Sequence, residues 1–458
     1  MSQPTVELPN LAATRVRYVV LAWFCGLSMI TYIDRVCIKQ VQGDMQQDLG
    51  LSGSQFAWTF SAFALAYALF EIPTGWLGDR LGPKKVLVRI VVCWLFFTAM
   101  TGLVVGTGVA ALVMLLIVRF LFGAGEAGAY PNMARGTRNW FPFAERGRAQ
   151  GLIWTFGRWG GALAPVLIMA LVLPFEALGL QGWRYGFILL AMLGLVWVWG
   201  FVRWFRDQPR DHPVVNAAEL AVIEGGATST AKPAPLSWRA LLSSRTLWIL
   251  SIMYFCSNAG WSVFITYDTR YLESSLHMSG WQLHVLSGMP LFLGGVGCVL
   301  GGLITDRQVR YWGRRWGRTA QGFVAYGLGV AFFVLTIRYT AKYPMVAFAC
   351  LCLASFAKDL AIAASWATTI DIGHRYSGTV AGFMNSVGNL GTVFAAPMGH
   401  WVARRASPDG TTENWTAAIG FYAVMFAIAC VCWLFIDPRR VVVYSPRDHE
   451  RLKAEGVL

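Results

Sequence analysis

Charge is scarce in this sequence. Asp, Glu, Lys and Arg together make up 14% of its 458 residues, and the acids are the rarer kind, 24 against 38 bases. A soluble domain carries about a quarter of its residues as charge, so a water-soluble globular protein is excluded. Sustained polar–apolar alternation is missing, which sets aside a transmembrane barrel. No Gly-x4-Gly-Lys-Ser/Thr loop occurs, so direct use of ATP by this chain is not expected. The six His (His212, His277, His284, His374, His400 and His449) are scattered and show no metal-ligand spacing. Cys25, Cys37, Cys93, Cys256, Cys298, Cys350, Cys352, Cys430 and Cys432 fall mostly in apolar stretches. Cys350/Cys352 and Cys430/Cys432 are two apart, on different faces of a helix, so the cysteines read as small buried hydrophobes rather than ligands. No nucleophile–base or metal constellation emerges, and an enzyme is not expected. No cofactor is expected either.

What the sequence has in abundance is apolar length. Hydrophobic residues make up 56% of the chain, and mean hydropathy is +0.50. They come in blocks of about twenty, the length a helix needs to cross about 30 Å of hydrocarbon. Twelve blocks read as spans: 17–37, 56–78, 86–106, 109–131, 148–173 and 184–205, then 246–271, 282–305, 319–338, 343–370, 377–402 and 415–436. Helices are required because lipid offers no partner to an open backbone. Arg15 and Arg17 before the apolar run from Tyr18 imitate a signal peptide. No small-residue cleavage site follows, so an uncleaved first span is expected. Between the two sets lies a polar linker, 206–245, expected to hold a short helix at Ala217–Glu224, and a charged tail, 437–458, closes the chain. The division expected is therefore 1–205, 206–245, 246–436 and 437–458.

The net charge of +14 invites a nucleic-acid reading, which its distribution opposes. Placing the N-terminus in the cytoplasm leaves about 27 Lys and Arg in inside segments and about 8 outside, the bias of a multi-pass inner-membrane protein with both ends inside. The expected surroundings are the lipid bilayer, with no nucleic acid, and a monomer is expected. Gly123-Ala-Gly125-Glu-Ala-Gly128 satisfies the dinucleotide fingerprint but lies inside an apolar span with no strand before it, so small residues for close helix packing is the better reading. The Asn414-Trp415-Thr416 sequon is not expected to be used.

The two sets repeat one another. Gly75-Trp-Leu-Gly-Asp79-Arg80-Leu-Gly82-Pro-Lys84-Lys85 follows span two. Gly302-Leu-Ile-Thr-Asp306-Arg307 follows span eight, with Gly313-Arg314-Arg315 after a short insertion. Span five reads Gly151-Leu-Ile-Trp154-Thr-Phe-Gly157-Arg158-Trp-Gly160, and span eleven reads Gly382-Phe-Met-Asn385-Ser-Val-Gly388-Asn389-Leu-Gly391. Two alike six-span halves imply a central cavity that opens to either side in turn.

Eight charged residues lie at membrane depth: Asp34, Arg35, Glu71, Arg119, Glu126, Arg158, Lys358 and Asp359. Each costs about 2.5–3.5 kcal/mol even on a lenient insertion scale, so each needs a cause. Four acids balance four bases, and protonating one acid leaves a positive surplus suited to an anion. Arg119 and Glu126, seven apart, share a helix face. Arg158, flanked by glycines, offers either a fork for a substrate carboxylate or a partner for Glu71 or Asp359. Asn385 and Asn389 offer either bonds to substrate hydroxyls or links between helices.

The Gly-x3-Asp-Arg-x-Gly loop with its following bases is identified as the signature of the major facilitator superfamily. Tyr32-Ile-Asp34-Arg35, Tyr67-Ala-Leu-Phe-Glu71-Ile-Pro73, Arg119-Phe-Leu-Phe-Gly-Ala-Gly-Glu126-Ala with Tyr130-Pro131-Asn132, and the span-eleven motif resemble its anion:cation symporter branch of sugar-acid, hexuronate and organic-anion permeases. The resemblance implies an all-α integral membrane protein with the twelve-helix facilitator fold, two pseudo-symmetric halves around a cavity. It implies proton-coupled import of a small organic anion, a sugar acid or uronate, driven by the proton gradient. Asp34 and Glu126 match proton-carrying positions; Arg35, Tyr67, Trp366 and Asn385 match substrate-contacting ones. Asp79, Arg80, Asp306 and Arg307 are expected to form a cytoplasmic gate. The expected cycle has Glu126 and Asp34 take protons from outside, freeing Arg35 for the substrate carboxylate. Arg158, where galactonate-type members carry Gln, and Lys358-Asp359 depart from the pattern. Exchange, transport of aromatic or dicarboxylic acids, and a transporter-like ligand sensor are the alternatives.

Overall fold

A computed structural model describes residues 12–224, 236–266, 272, 280–407, 414–442 and 450. The middle of the linker, His277, the end of span seven and most of the tail fall outside the described residues. Among the described residues all regular structure is helical.

The spanning helices are α1 (Val16–Gln40), α2 (Gly53–Leu81), α3 (Pro83–Gly102), α4 (Gly108–Glu126, continued as Ala129–Trp140), α5 (Arg146–Glu176) and α6 (Gly182–Trp204). There follow α7 (Arg245–Trp261, continued as Val263–Thr266), α8 and α9 (together Gly280–Tyr339), α10 (Pro344–Leu360, continued as Ile362–Gly373), α11 (Ser377–Arg405) and α12 (Trp415–Phe435). α8 and α9 part at Gly313, whose φ of 72° only glycine takes at ease. Gly82, φ 90°, makes the matching turn between α2 and α3. Local chemistry sets several starts. Ser52 and Gln55 form a capping box at α2, and Pro83 and Pro344 open α3 and α10, where a missing N–H costs nothing.

Helix pairing follows the repeat. α1 lies on α5, α2 on α4 and α3 on α6; in the second set α7 lies on α11, α8 on α10 and α9 on α12. The sets meet chiefly at two crossings, α2 with α11 and α5 with α8, and also where α4 meets α11 and α5 meets α10. Glycines bring the backbones together there. A Cβ on Gly75 would strike the carbonyl of Gly378, and one on Gly302 would come within 2.8 Å of the Gly147 carbonyl. Gly123 and Gly125 likewise let α4 press on the Phe63 carbonyl of α2 and the Trp94 backbone of α3.

The short linker helix stands at Ala217–Glu224. Its Glu219, fully buried, accepts from the backbone N–H groups of Val16 (3.0 Å) and Arg17 (3.1 Å), capping α1, and from the Arg17 guanidinium at 3.1 Å. One expectation needs correcting. Cys93 is exposed and Cys432 only half-buried, the other seven cysteines being buried. A small apolar group against lipid has no need of a protein core.

Candidate functional site

Seven of the eight charged residues fall in two clusters, one within the first half and one between the halves. In the first, α1 presents Arg35 to Glu126 at the end of the first segment of α4, Nε to Oε1 2.5 Å. The guanidinium lies 4.2 Å from the Tyr67 ring of α2, 5.5 Å from Phe63 and 5.7 Å from Tyr32. Its buried Nη2 has no hydrogen-bond partner, nor has Glu126 Oε2. Gly128, φ 89°, stands at the break in α4 just past Glu126, where a Cβ would overlap the Thr74 side chain. Asp34, next to Arg35, faces the other way: it accepts from Trp94 Nε1 of α3 at 2.7 Å, and its buried Oδ1 has no partner. Arg119 sits over Phe122 and Phe63 (4.6 and 5.1 Å) and acts electrostatically on both Glu126 and Asp34.

The second cluster spans the halves. Arg158 of α5 grips Asp359 of α10 with two nitrogens, Nε at 2.9 Å and Nη2 at 3.1 Å, and donates from Nη1 to the Tyr32 hydroxyl at 2.6 Å. Lys358 Nζ reaches the same carboxylate at 2.9 Å. Of the two partners the sequence left open for Arg158, Asp359 is the one it meets. Two cations on one carboxylate leave this cluster one positive charge in surplus. Trp261 of α7 faces both, 4.6 Å from the guanidinium and 5.5 Å from the ammonium.

Glu71 of α2 is fully buried and bridges to α11. Asn385 donates to its Oε1 and Asn389 to its Oε2 (3.2 Å). Both asparagines are thus links between helices here.

Below lies an aromatic layer. Trp154 of α5 stacks on Tyr130 of α4, centroids 4.2 Å apart at 13°, and Trp366 of α10 meets Trp154 at 5.2 Å and Tyr130 at 5.8 Å. Trp366 Nε1 donates to the Tyr254 hydroxyl (3.0 Å), and the hydroxyls of Tyr130 and Ser28 are bonded at 2.8 Å. Sequence reading found Trp366 but not Trp154, Tyr130, Tyr254, Trp261 or the hydroxyl of Tyr32. Trp154, Tyr130 and Tyr32 stood inside the quoted motifs, so the signal was present without a way to tell a cavity wall from a packing face.

The side carrying the short basic loops is shut. Asp79 accepts from the N–H groups of Gly378 (3.0 Å) and Thr379 (2.7 Å) at the start of α11, with Arg135 at 3.2 Å. Asp306 accepts from those of Gly147 (2.9 Å) and Arg148 (2.8 Å) at the start of α5, with Arg318 at 3.5 Å. Each carboxylate thus caps a helix of the opposite half, where the helix dipole favours it. Asp371 ties Arg146 (3.3 Å) to Arg318 (3.5 Å). Arg80 and Arg307 lie apart from these contacts: both are exposed, over Trp76 at 5.4 Å and Tyr311 at 5.9 Å, while Arg146 and Arg148 pair across the seam and Arg135 and Arg318 pair with acids of their own half.

A sequence profile described as Major Facilitator Superfamily matches residues 24–396. The chain belongs to the major facilitator superfamily. As a facilitator it is a multi-pass membrane transporter and not an enzyme. Its relatives are named for organic acids. The probable sulfoacetate transporter SauU of Cupriavidus necator is 35% identical over 441 residues, covering 95% of this chain and 96% of that protein. The probable galactarate/D-glucarate transporter GudP of Escherichia coli K12 is 29% identical, with 93% and 95% covered. Among solved structures, the E. coli fucose:proton symporter FucP superposes with a TM-score of 0.64 at 15% identity, over 92% of this chain and all of that one. The proton:xylose symporter XylE gives 0.70 at 13%, over 92% and 95%. At those identities the likeness concerns the facilitator fold alone.

Proposed function

We propose that this facilitator imports a small organic acid bearing two acidic groups, sugar diacids included, by proton-coupled alternating access across a bacterial inner membrane. The basic side, with both chain ends, faces the cytoplasm in this reading, as the distribution of Lys and Arg favours. One observation carries it. Arg35 and Arg158 flank the same Tyr32 ring, at 5.7 and 5.5 Å, and Lys358 leaves the Arg158 cluster with a cation in surplus. Two cationic centres gathered at one ring suit two anionic groups on a short carbon frame. The substrates after which SauU and GudP are named each carry two acidic groups, which supports the same class.

The cycle follows from the pairing. Protonation of Glu126 from outside removes the charge holding Arg35, which then takes one acidic group of the substrate. The second group draws on the surplus of Arg158 and Lys358 over Asp359. Occupied, the centre no longer strands charge in the membrane, so the halves can rock and part the Asp79 and Asp306 caps. Proton loss to the cytoplasm restores Arg35–Glu126 and displaces the substrate. Asp34, behind α1 and joined to Glu126 through Arg119, tunes or shares that proton.

The test is uptake by proteoliposomes under an inward proton gradient, with labelled sulfoacetate and D-glucarate set against the monoacids D-galactonate and D-glucuronate. Diacids should accumulate, a protonophore should abolish accumulation, and Glu126→Gln should lose accumulation while keeping counterflow. Equal transport of monoacids overturns the two-group substrate. Accumulation only against a preloaded anion, indifferent to the gradient, makes the protein an exchanger.

A further inference from the structure

The mechanism above leaves one buried acid without a task. Among the described residues no cation forms an ion pair with Glu71. Arg35 from α1 is taken by Glu126 of α4; Arg119 of α4 lies over Phe63 and Phe122; Tyr67 of α2 offers a hydroxyl; and α11 presents the two amides, Asn385 and Asn389, together with the hydroxyl of Ser386, which is bonded to the Ala68 carbonyl. A carboxylate charge buried among neutral groups is costly, and a proton removes that cost.

The choice of amides is informative. Lys or Arg would hold only the charged form. An asparagine donates to a carboxylate through its NH2 and, turned by half a revolution, accepts from a carboxylic acid through its carbonyl. Contact between the halves therefore survives with either protonation state, yet favours the neutral one while the site stays dry. The position matters equally. The Glu71 carbonyl lies against Gly382, one turn above the crossing of Gly75 with Gly378 and the Asp79 cap. Separation of α2 from α11 on the cytoplasmic side wets Glu71 first among the central acids.

We propose that Glu71 is a second proton-binding residue, charged when the cytoplasmic side is open and neutral when α2 and α11 are closed. This rests on the proton-coupled reading of the same site and deepens it. The proton dissociates from an oxygen of Glu71 to cytoplasmic water as the helices part, and α2 and α11 close again only once a proton returns. Glu71 thus loses and regains its proton on the cytoplasmic side and times closure, while Glu126 carries the proton that crosses the membrane.

The test needs no substrate. Spin labels, introduced as genetically encoded residues at the exposed positions Leu81 and Tyr311 on the cytoplasmic ends of the two halves, report opening by electron–electron distance measurement from pH 5 to 9. In the otherwise wild-type protein the open-to-closed ratio should rise with pH, by up to tenfold per unit, the limit for one proton. Glu71→Gln should stay closed with a flat response, Glu71→Asp should restore one, and Glu126→Gln should retain it. A wild-type response in Glu71→Gln, or a flat one in both Glu71→Asp and Glu126→Gln, overturns the proposal. A flat wild-type response beside intact proton-driven uptake sinks this inference alone, whereas absent uptake beside a Glu71-dependent response sinks the transport reading instead.

Discussion

Arg35 and Arg158 flank one tyrosine ring yet are held in opposite ways. Arg35 meets its carboxylate through a single nitrogen, keeps a buried N–H unpartnered and leaves 21% of its side chain accessible. Arg158 is 2% exposed, gripped at two nitrogens by Asp359 and at a third by Tyr32. A guanidinium offers five donors in a fixed fork, and the difference lies in how many are already spent. Arg35 is poised to change partner. Arg158 is a strut across the halves that lends its field, with Lys358 supplying the charge that Asp359 does not cancel.

The contrast is broken most forcefully at Asp359. Removing one partner of a buried pair leaves stranded charge and costs about 3–5 kcal/mol, here with two cations affected. Asp359→Asn should lower the unfolding free energy by that amount, measured as thermal unfolding in detergent, and adding Arg158→Gln should recover part of it, Lys358 staying unpaired. Unchanged stability would mean that Arg158 is no strut. Next in size is Arg35→Lys, which keeps the charge and loses the fork. Diacid uptake should fall about 10- to 100-fold, the worth of one or two charge-assisted hydrogen bonds, with thermal stability little changed; a loss of stability as large as that at Asp359 would erase the distinction. Smallest is Tyr32→Phe, which removes the acceptor held by Arg158 but keeps the ring both cations share. It should cost about 1 kcal/mol of stability and leave uptake within about twofold, so a larger loss of uptake would show that the hydroxyl serves substrate.

The spans were legible because hydrocarbon thickness fixes their length, and the two-half repeat was legible because the loops after spans two and eight share residues in order. What escaped was where polarity and helix coexist. α4 continues to Trp140, nine residues past the expected end, because Asn132, Arg135 and Thr137 look like a loop by hydropathy although the backbone stays helical. The buried charges could be counted in sequence but not paired, since helix packing decides whether Arg158 finds Glu71 or Asp359. The two loop acids could be picked out in sequence, but not that Asp79 and Asp306 cap helices of the opposite half or that their cationic company comes from Arg135, Arg148 and Arg318, on other helices. Trp154 and Trp366 carry no sequence mark of lying against each other, because their neighbourhood depends on the two halves meeting.

That meeting gives the molecule an optical signature. Trp154 belongs to one half and Trp366 to the other, with ring centres 5.2 Å apart, so any motion that separates the halves at this level uncouples two indoles and changes the water around them. Intrinsic emission should therefore track the transport cycle in unlabelled protein, and replacing either indole with phenylalanine would identify which step the light reports.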